Sequence, residues 1–149
     1  MSNSLFTSMH ISSAGMTAQR SRLDVVAENI ANADSTRTEK GGPYRRRQVV
    51  FQSIPAQQSS FHSVFQQSMG SKASQSVHVV KTVEDMTPFR EVHDPSHPDA
   101  GANGMVKLPN VNTVSEMVDM NSAARGFESN VTVMEASKRM FLKSLELLR

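Results

Sequence analysis

Apolar positions recur with helical spacing at both ends of the chain, and with strand spacing only in between. Leu5, Met9, Ser12, Met16, Gln19, Leu23, Val26 and Ile30 alternate spacings of four and three, and six of these eight are apolar. That is a heptad seam, and it predicts a helix over residues 4–33 packed along a partner helix. No proline interrupts it. At roughly 1.5 Å per residue it would be about 45 Å long.

The C-terminal pattern is stronger. Met117, Met120, Ala124, Phe127, Val131, Met134, Lys138, Phe141, Leu145 and Leu148 follow the same spacing, and nine of the ten are apolar. Thr113 and Glu116 have the T-x-x-E spacing of a capping box, and Pro109 suits an extended approach to the helix start. The prediction is a helix over residues 113–148.

Between the helices the period changes. Residues 34–47 are turn-rich, with Gly41-Gly42-Pro43 as a breaker. Residues 48–51, 77–83 and 89–92 read as short strands. Residues 52–76 hold eight serines and six glutamines in 25 positions and read as a flexible loop. Residues 93–104 read as a second loop. The expected fold is mainly α: two long terminal helices in an antiparallel coiled-coil-like hairpin, with a small β-rich insertion. Residues 1–33 and 113–149 would form a discontinuous helical core, and residues 34–112 the insertion.

Pairing the two seams leaves apolar residues over. Ile11, Ala14, Ala18 and Val25 make a second stripe on the first helix. Val133, Ala136, Met140 and Leu147 do so on the last. A two-helix hairpin covers one stripe per helix, and helices without tertiary packing are marginal. The surplus stripes therefore point to packing against other chains.

Composition sharpens this. The chain has 149 residues, enough for one ordinary domain, but only 38% are hydrophobic and 5% aromatic, which is poor material for a large single core. Ten methionines suit adaptable interfaces instead. The absence of cysteine removes disulfides and thiolate chemistry. A net charge of +2 is too small to argue for nucleic acid or membrane binding. No apolar run is long enough to span a membrane, and no signal-peptide pattern opens the chain, so the expectation is a cytosolic protein or one exported without a cleaved signal.

Candidate chemistry is sparse. His93, Asp94, His97 and Asp99 in HDPSHPD have metal-ligand composition. Pro95 and Pro98 make a stiffened surface loop the favoured reading, so no metal site is assigned. Arg37, Lys40 and Arg45-Arg46-Arg47 form a basic cluster, better read as solvated or acid-partnered than as a nucleic-acid contact. No phosphate-binding glycine loop and no nucleophile motif occurs, so no catalytic residue and no cofactor is assigned. Asn29 and Asn32 share one face of the first helix's end, where asparagine, tolerant of the left-handed turn, is a fair helix stop.

Three stretches carry a resemblance. AQRSRLDVVAENIANADSTRT (18–38) resembles the N-terminal motif of flagellar rod and hook proteins, with Asn29 and Asn32 on its two asparagines. GGPYRRRQVVF (41–51) and HPDAGANGMVKLPNVNTVSEMVDMNSAARGFESNV (97–131) are similar to segments of that family's proximal rod branch. They place Pro43, Tyr44, Arg45, Pro109, Asn110, Glu116, Arg125 and Asn130 on motif positions. The resemblance implies a non-enzymatic building block of the flagellar rod, exported through the flagellar type III apparatus. Its terminal helices would form the inner core of a hollow helical tube. Its neighbours would be copies of itself and the rod proteins FlgB, FlgF and FliE, with no nucleic acid and no membrane insertion. The alternative is a soluble coiled-coil adaptor that binds partner helices without forming a tube.

Overall fold

Asn112 is where the C-terminal helix begins. In the computed structural model, which describes residues 2–39, 41–55 and 75–147, its Oδ1 accepts from the amides of Val114 and Ser115 at 3.1 and 3.2 Å. An asparagine N-cap thus satisfies two amides that have no helical partner. The expected capping box is not formed, because the Glu116 carboxylate is buried and engaged elsewhere.

The elements are α1 (Ser2–Ala31), β1 (Arg47–Pro55), β2 (Gln75–Glu84), β3 (Arg90–His93), β4 (Met105–Leu108) and α2 (Thr113–Glu146). β1 pairs with β2 in one two-stranded sheet and β3 with β4 in another. β3 and β4 run antiparallel, with Arg90 opposite Leu108 and His93 opposite Met105. The strands β1 and β2 reach further into the Ser/Gln-rich stretch than expected, taking residues 52–55 and 75–76 out of the predicted loop. Residues 56–74 of that loop, Leu148 and the Leu5 side chain lie outside the described residues. β4 was not expected from so short an alternation.

α1 stops differently from the expectation. Among the described residues no non-glycine residue has a positive φ, so Asn32 does not take the left-handed turn. Its side-chain amide instead donates to the Glu28 carbonyl at 2.9 Å, and its oxygen accepts from Ser35 at 3.2 Å. The helix end is closed by an amide side chain. Among the described residues positive φ is confined to Gly41, Gly42 and Gly104, and the first two turn the chain back toward β1.

The chain divides into two compact units. The first comprises residues 1–21, 51–80 and 124–149. Within it, Ser8 Oγ lies 3.3 Å from Ser137 Oγ, and the Phe6 and Phe141 rings meet edge to face with centroids 5.6 Å apart. Gly15 faces Asn130, and Gly126 faces Gln19. As α1 advances, its partners on α2 recede. Ser12, Ala18, Ser76 and Ser137 are buried here. The second unit comprises residues 22–50 and 81–123. Its buried residues include Val26, Ala33, Tyr44, Val106, Pro109 and Ala123, with Asn29 and Glu116 among them.

The expected seam is displaced. Besides the Phe6–Phe141 ring pair, the residues of α1 that meet α2 within these units include Ser8, Gly15, Gln19, Arg22 and Asn29, and those of α2 include Glu116, Asp119, Gly126, Asn130 and Ser137. On α2 this face runs one position before the apolar seam, and on α1 it shares only Gln19 with it. Close helix approach favours small side chains at the contact. The larger apolar residues then fall on its flanks.

Candidate functional site

The most densely bonded part of the second unit surrounds Asn29, which is 1% exposed. Its Nδ2 donates to the Arg47 carbonyl at 2.8 Å and to Glu116 Oε2 at 2.9 Å. Its Oδ1 accepts from the Tyr44 hydroxyl at 3.0 Å and from the Arg47 amide at 2.9 Å. Both donors and both lone pairs of the amide are used, as burial demands.

Glu116 is also 1% exposed, and its other oxygen accepts from Arg46 Nε at 2.7 Å. A buried carboxylate without a partner would cost several kcal/mol, so Arg46 is a requirement of Glu116. Two further carboxylates flank the guanidinium, Asp119 at 3.6 Å and Asp85 at 3.7 Å. Asp119 also pairs with Arg22 at 3.0 Å. The Arg46 amide donates to Asn110 Oδ1 at 2.8 Å, and the Asn110 amide group donates to the Asp85 carbonyl and the Thr87 hydroxyl. Arg47 pairs with Glu28 at 2.6 Å, and Arg45 lies over the Phe89 ring at 4.3 Å. Arg46 and Arg47 of the basic cluster are therefore acid-partnered, while Arg45 donates to the Asp85 carbonyl at 3.2 Å and Lys40 lies outside the described residues. An open hollow of about 760 Å³ beside it is lined by both signs of charge, Glu28, Glu39 and Glu84 with Arg37, Arg45 and Arg47.

The electrostatics follow from these contacts. Burial, reinforced by Glu28, pushes the Tyr44 hydroxyl up to about 12. The Thr87 amide holds the Asp85 carboxyl below its usual range. The Thr36 hydroxyl does the same for Asp99, with Arg37 and His97 adding to it. Asp99 is bonded to Thr36 at 2.8 Å and paired with Arg37, and its own amide donates to His97 Nδ1 at 3.1 Å. The HDPSHPD stretch thus spends its side chains on loop structure. Among the described residues no group of three or more His, Asp or Glu converges to hold a metal ion.

Of the motif positions, Asn29, Asn32, Tyr44, Arg45, Asn110 and Glu116 join this network or its rim. Pro109 is buried and Pro43 half-buried in the same unit. Asn130 meets Gly15 in the first unit, and Arg125 there is exposed. Sequence reasoning missed Asn112, Arg22, Asp119, Gly15 and Gly126. Only the two glycines inside a helical pattern carried a visible signal.

The apolar positions form the second feature. In the first unit Met9, Met16, Phe127, Val131, Met134 and Phe141 are half-buried, and Leu145 is exposed. In the second, Val26 is buried, Leu23, Ile30 and Met120 are half-buried, and Met117 is 58% exposed. Of the surplus stripe, Ile11 and Val25 are half-buried, Val133 and Met140 are exposed, and Leu147 is 88% exposed. Ala18 departs from that expectation: it is buried within its unit, since it is small enough to sit by the helix contact. Val114 and Val118 join Met117 in an exposed patch on the first turns of α2. No helix among the described residues is long and apolar enough to cross a membrane.

Residues 9–37 match the family described as flagella basal body rod protein, and residues 102–147 match the C-terminal family of flagellar basal body rod FlgEFG proteins. The chain is 44% identical to the flagellar basal-body rod protein FlgC of Bacillus subtilis, over 95% of this chain and 97% of that one. It is 41% identical to FlgC of Borreliella burgdorferi, over 97% of this chain and 98% of that one. It is 40% identical to FlgC of Salmonella typhimurium, over 92% of each. The chain belongs to the FlgC family of flagellar basal-body rod proteins, structural subunits of the rod of the bacterial flagellum.

Proposed function

We propose that the chain builds the proximal rod through its terminal helices, as a non-enzymatic subunit of a hollow helical drive shaft. Residues 1–33 and 113–149 act as one helical core, an antiparallel coiled-coil-like hairpin, and residues 34–112 lie farther from the axis. The reversed order of helix contacts within each unit supports the pairing. The observation that carries assembly is the division of labour on the helices. Apart from the Phe6–Phe141 ring pair, small and polar side chains make the described contacts with the partner helix, and the larger apolar ones other than Val26 are left half-covered or exposed among the described residues. A surface patch that meets a different patch on the next subunit makes a heterologous contact, and repetition of that contact builds a helical tube. Torque then passes through many covered helix contacts in parallel.

The neighbours in this reading are copies of the chain and the rod proteins FlgB, FlgF and FliE. Export runs through the flagellar type III apparatus without a cleaved signal, and the rod crosses the periplasm. Family membership supports these assignments. The test is Met117→Asp, with Leu147→Asp beside it. Both side chains are exposed in the single chain, so the purified variants should melt within about 0.5 kcal/mol of the parent. In cells, a charge covered by a neighbour should stop rod growth and motility. Normal motility of both variants would contradict the proposal.

A further inference from the structure

Two glycines sit in the interior of the long helices, where glycine is the poorest helix former after proline. Each faces an amide side chain of the other helix. A Cβ on Gly15 would lie 2.9 Å from Asn130 Nδ2 and 3.0 Å from its Oδ1. A Cβ on Gly126 would lie 3.2 Å from the Gln19 carboxamide. The arrangement is reciprocal, because each helix presents its amide one turn after its glycine, Gly15 before Gln19 and Gly126 before Asn130. Asn130 cannot swing aside freely, since its Nδ2 donates to the Gly126 carbonyl at 2.9 Å. Gln19 Oε1 is buried without a hydrogen-bond partner among the described residues.

Apart from the Phe6–Phe141 ring pair near the ends of the helices, the rest of this contact carries little register information. Ser8, Ser12, Ala18 and Ser137 are small, and a shift by one heptad would set small residues against small residues again. The amides would not survive that shift. Asn130 would meet Ser8 or Arg22 in place of Gly15, and neither has the bare backbone that receives it.

We infer that the reciprocal pairs Gly15–Asn130 and Gly126–Gln19 fix the register of the helix pair, and that all four are positioning residues for assembly. Through register they decide which apolar residues of α1 and α2 stand side by side on the face offered to neighbouring subunits. The inference rests on the antiparallel pairing proposed above.

The chain has no cysteine, so introduced pairs report register without background. Ser8→Cys with Ser137→Cys reads the native register, whose hydroxyls are 3.3 Å apart. Ser8→Cys with Ser144→Cys reads the register slipped by one heptad. The full-length chain is purified, oxidised and scored for the intramolecular cross-link. In the otherwise unsubstituted chain the native pair should dominate. Gly15→Ala should lower it by about fivefold and raise the slipped pair, while helix content by circular dichroism is held or increased. Asn130→Ala added to Gly15→Ala should restore the native cross-link. An undiminished native cross-link in Gly15→Ala would overturn the inference, as would a loss that Asn130→Ala fails to restore. Absence of the native cross-link in the unsubstituted chain would instead overturn the pairing itself.

Discussion

Asn29 donates to Glu116 at 2.9 Å where each side chain is 1% exposed, so the end of α1 and the start of α2 are tied by a buried amide–carboxylate bond. Asparagine suits that place because its amide also closes the Arg47 carbonyl and amide and the Tyr44 hydroxyl.

Asn29→Asp keeps the shape and reverses the chemistry. It removes both Nδ2 donations and sets a second carboxylate against Glu116. The variant should lose about 3 kcal/mol or more at neutral pH, the scale for a broken buried charge arrangement. It should recover partly as pH falls, because two carboxylates sharing a site bind a proton readily. Thermal melting of the purified variant at neutral and mildly acidic pH reads both effects. A variant as stable as the parent at pH 7 would show that the bond is dispensable.

The pH dependence of the parent should have two limbs. Asp85 and Asp99 have depressed folded-state values, so their contribution is present above the ordinary aspartate value of 3.8 and is lost as pH falls through the lower folded value. Tyr44 is raised from 10.0 to about 12, so its contribution is present below 10 and is lost as pH rises toward 12. Melting temperature against pH should therefore fall at both extremes. Asp99→Asn should reduce the acid limb, and Tyr44→Phe the alkaline one. Unchanged limbs in those variants would assign them to other groups.

Asn112 and Thr113 distinguish the cap that forms from the one the spacing suggested. Asn112→Ala should cost about 1 kcal/mol, and Thr113→Ala a few tenths. Chemical denaturation of the two variants gives the order directly. The reverse order would restore Thr113 as the cap.

The long helices were legible because their apolar spacing persists over many turns and no proline breaks it. Which residues touch was not legible. Periodicity marks where Met117, Met120 and Phe127 lie, but contacts between the helices also fall on Gly15, Gly126 and Ser137, which carry little hydrophobic signal. The network around Asn29 was only half visible. Its motif residues stood out by resemblance, whereas the convergence of Arg46, Glu116, Asp85 and Asp119 joins positions far apart in the chain. β4, of four residues, was not read from the sequence although the equally short β3 was, and the ends of β1 and β2 are hidden in Ser and Gln. Glu116 misled because its spacing from Thr113 fits a cap, while burial beside Asn29 and Arg46 gave it a different partner.

In the proposed rod, apolar side chains left exposed in the single chain are covered by neighbouring subunits. A density map of the intact basal body, detailed enough to place side chains, measures this directly. Val114, Met117 and Val118 on the first turns of α2, Met140 toward its end and Leu147 just beyond it should be packed against other subunits. A rod in which these side chains face solvent, with contacts made through the charged residues instead, would contradict it.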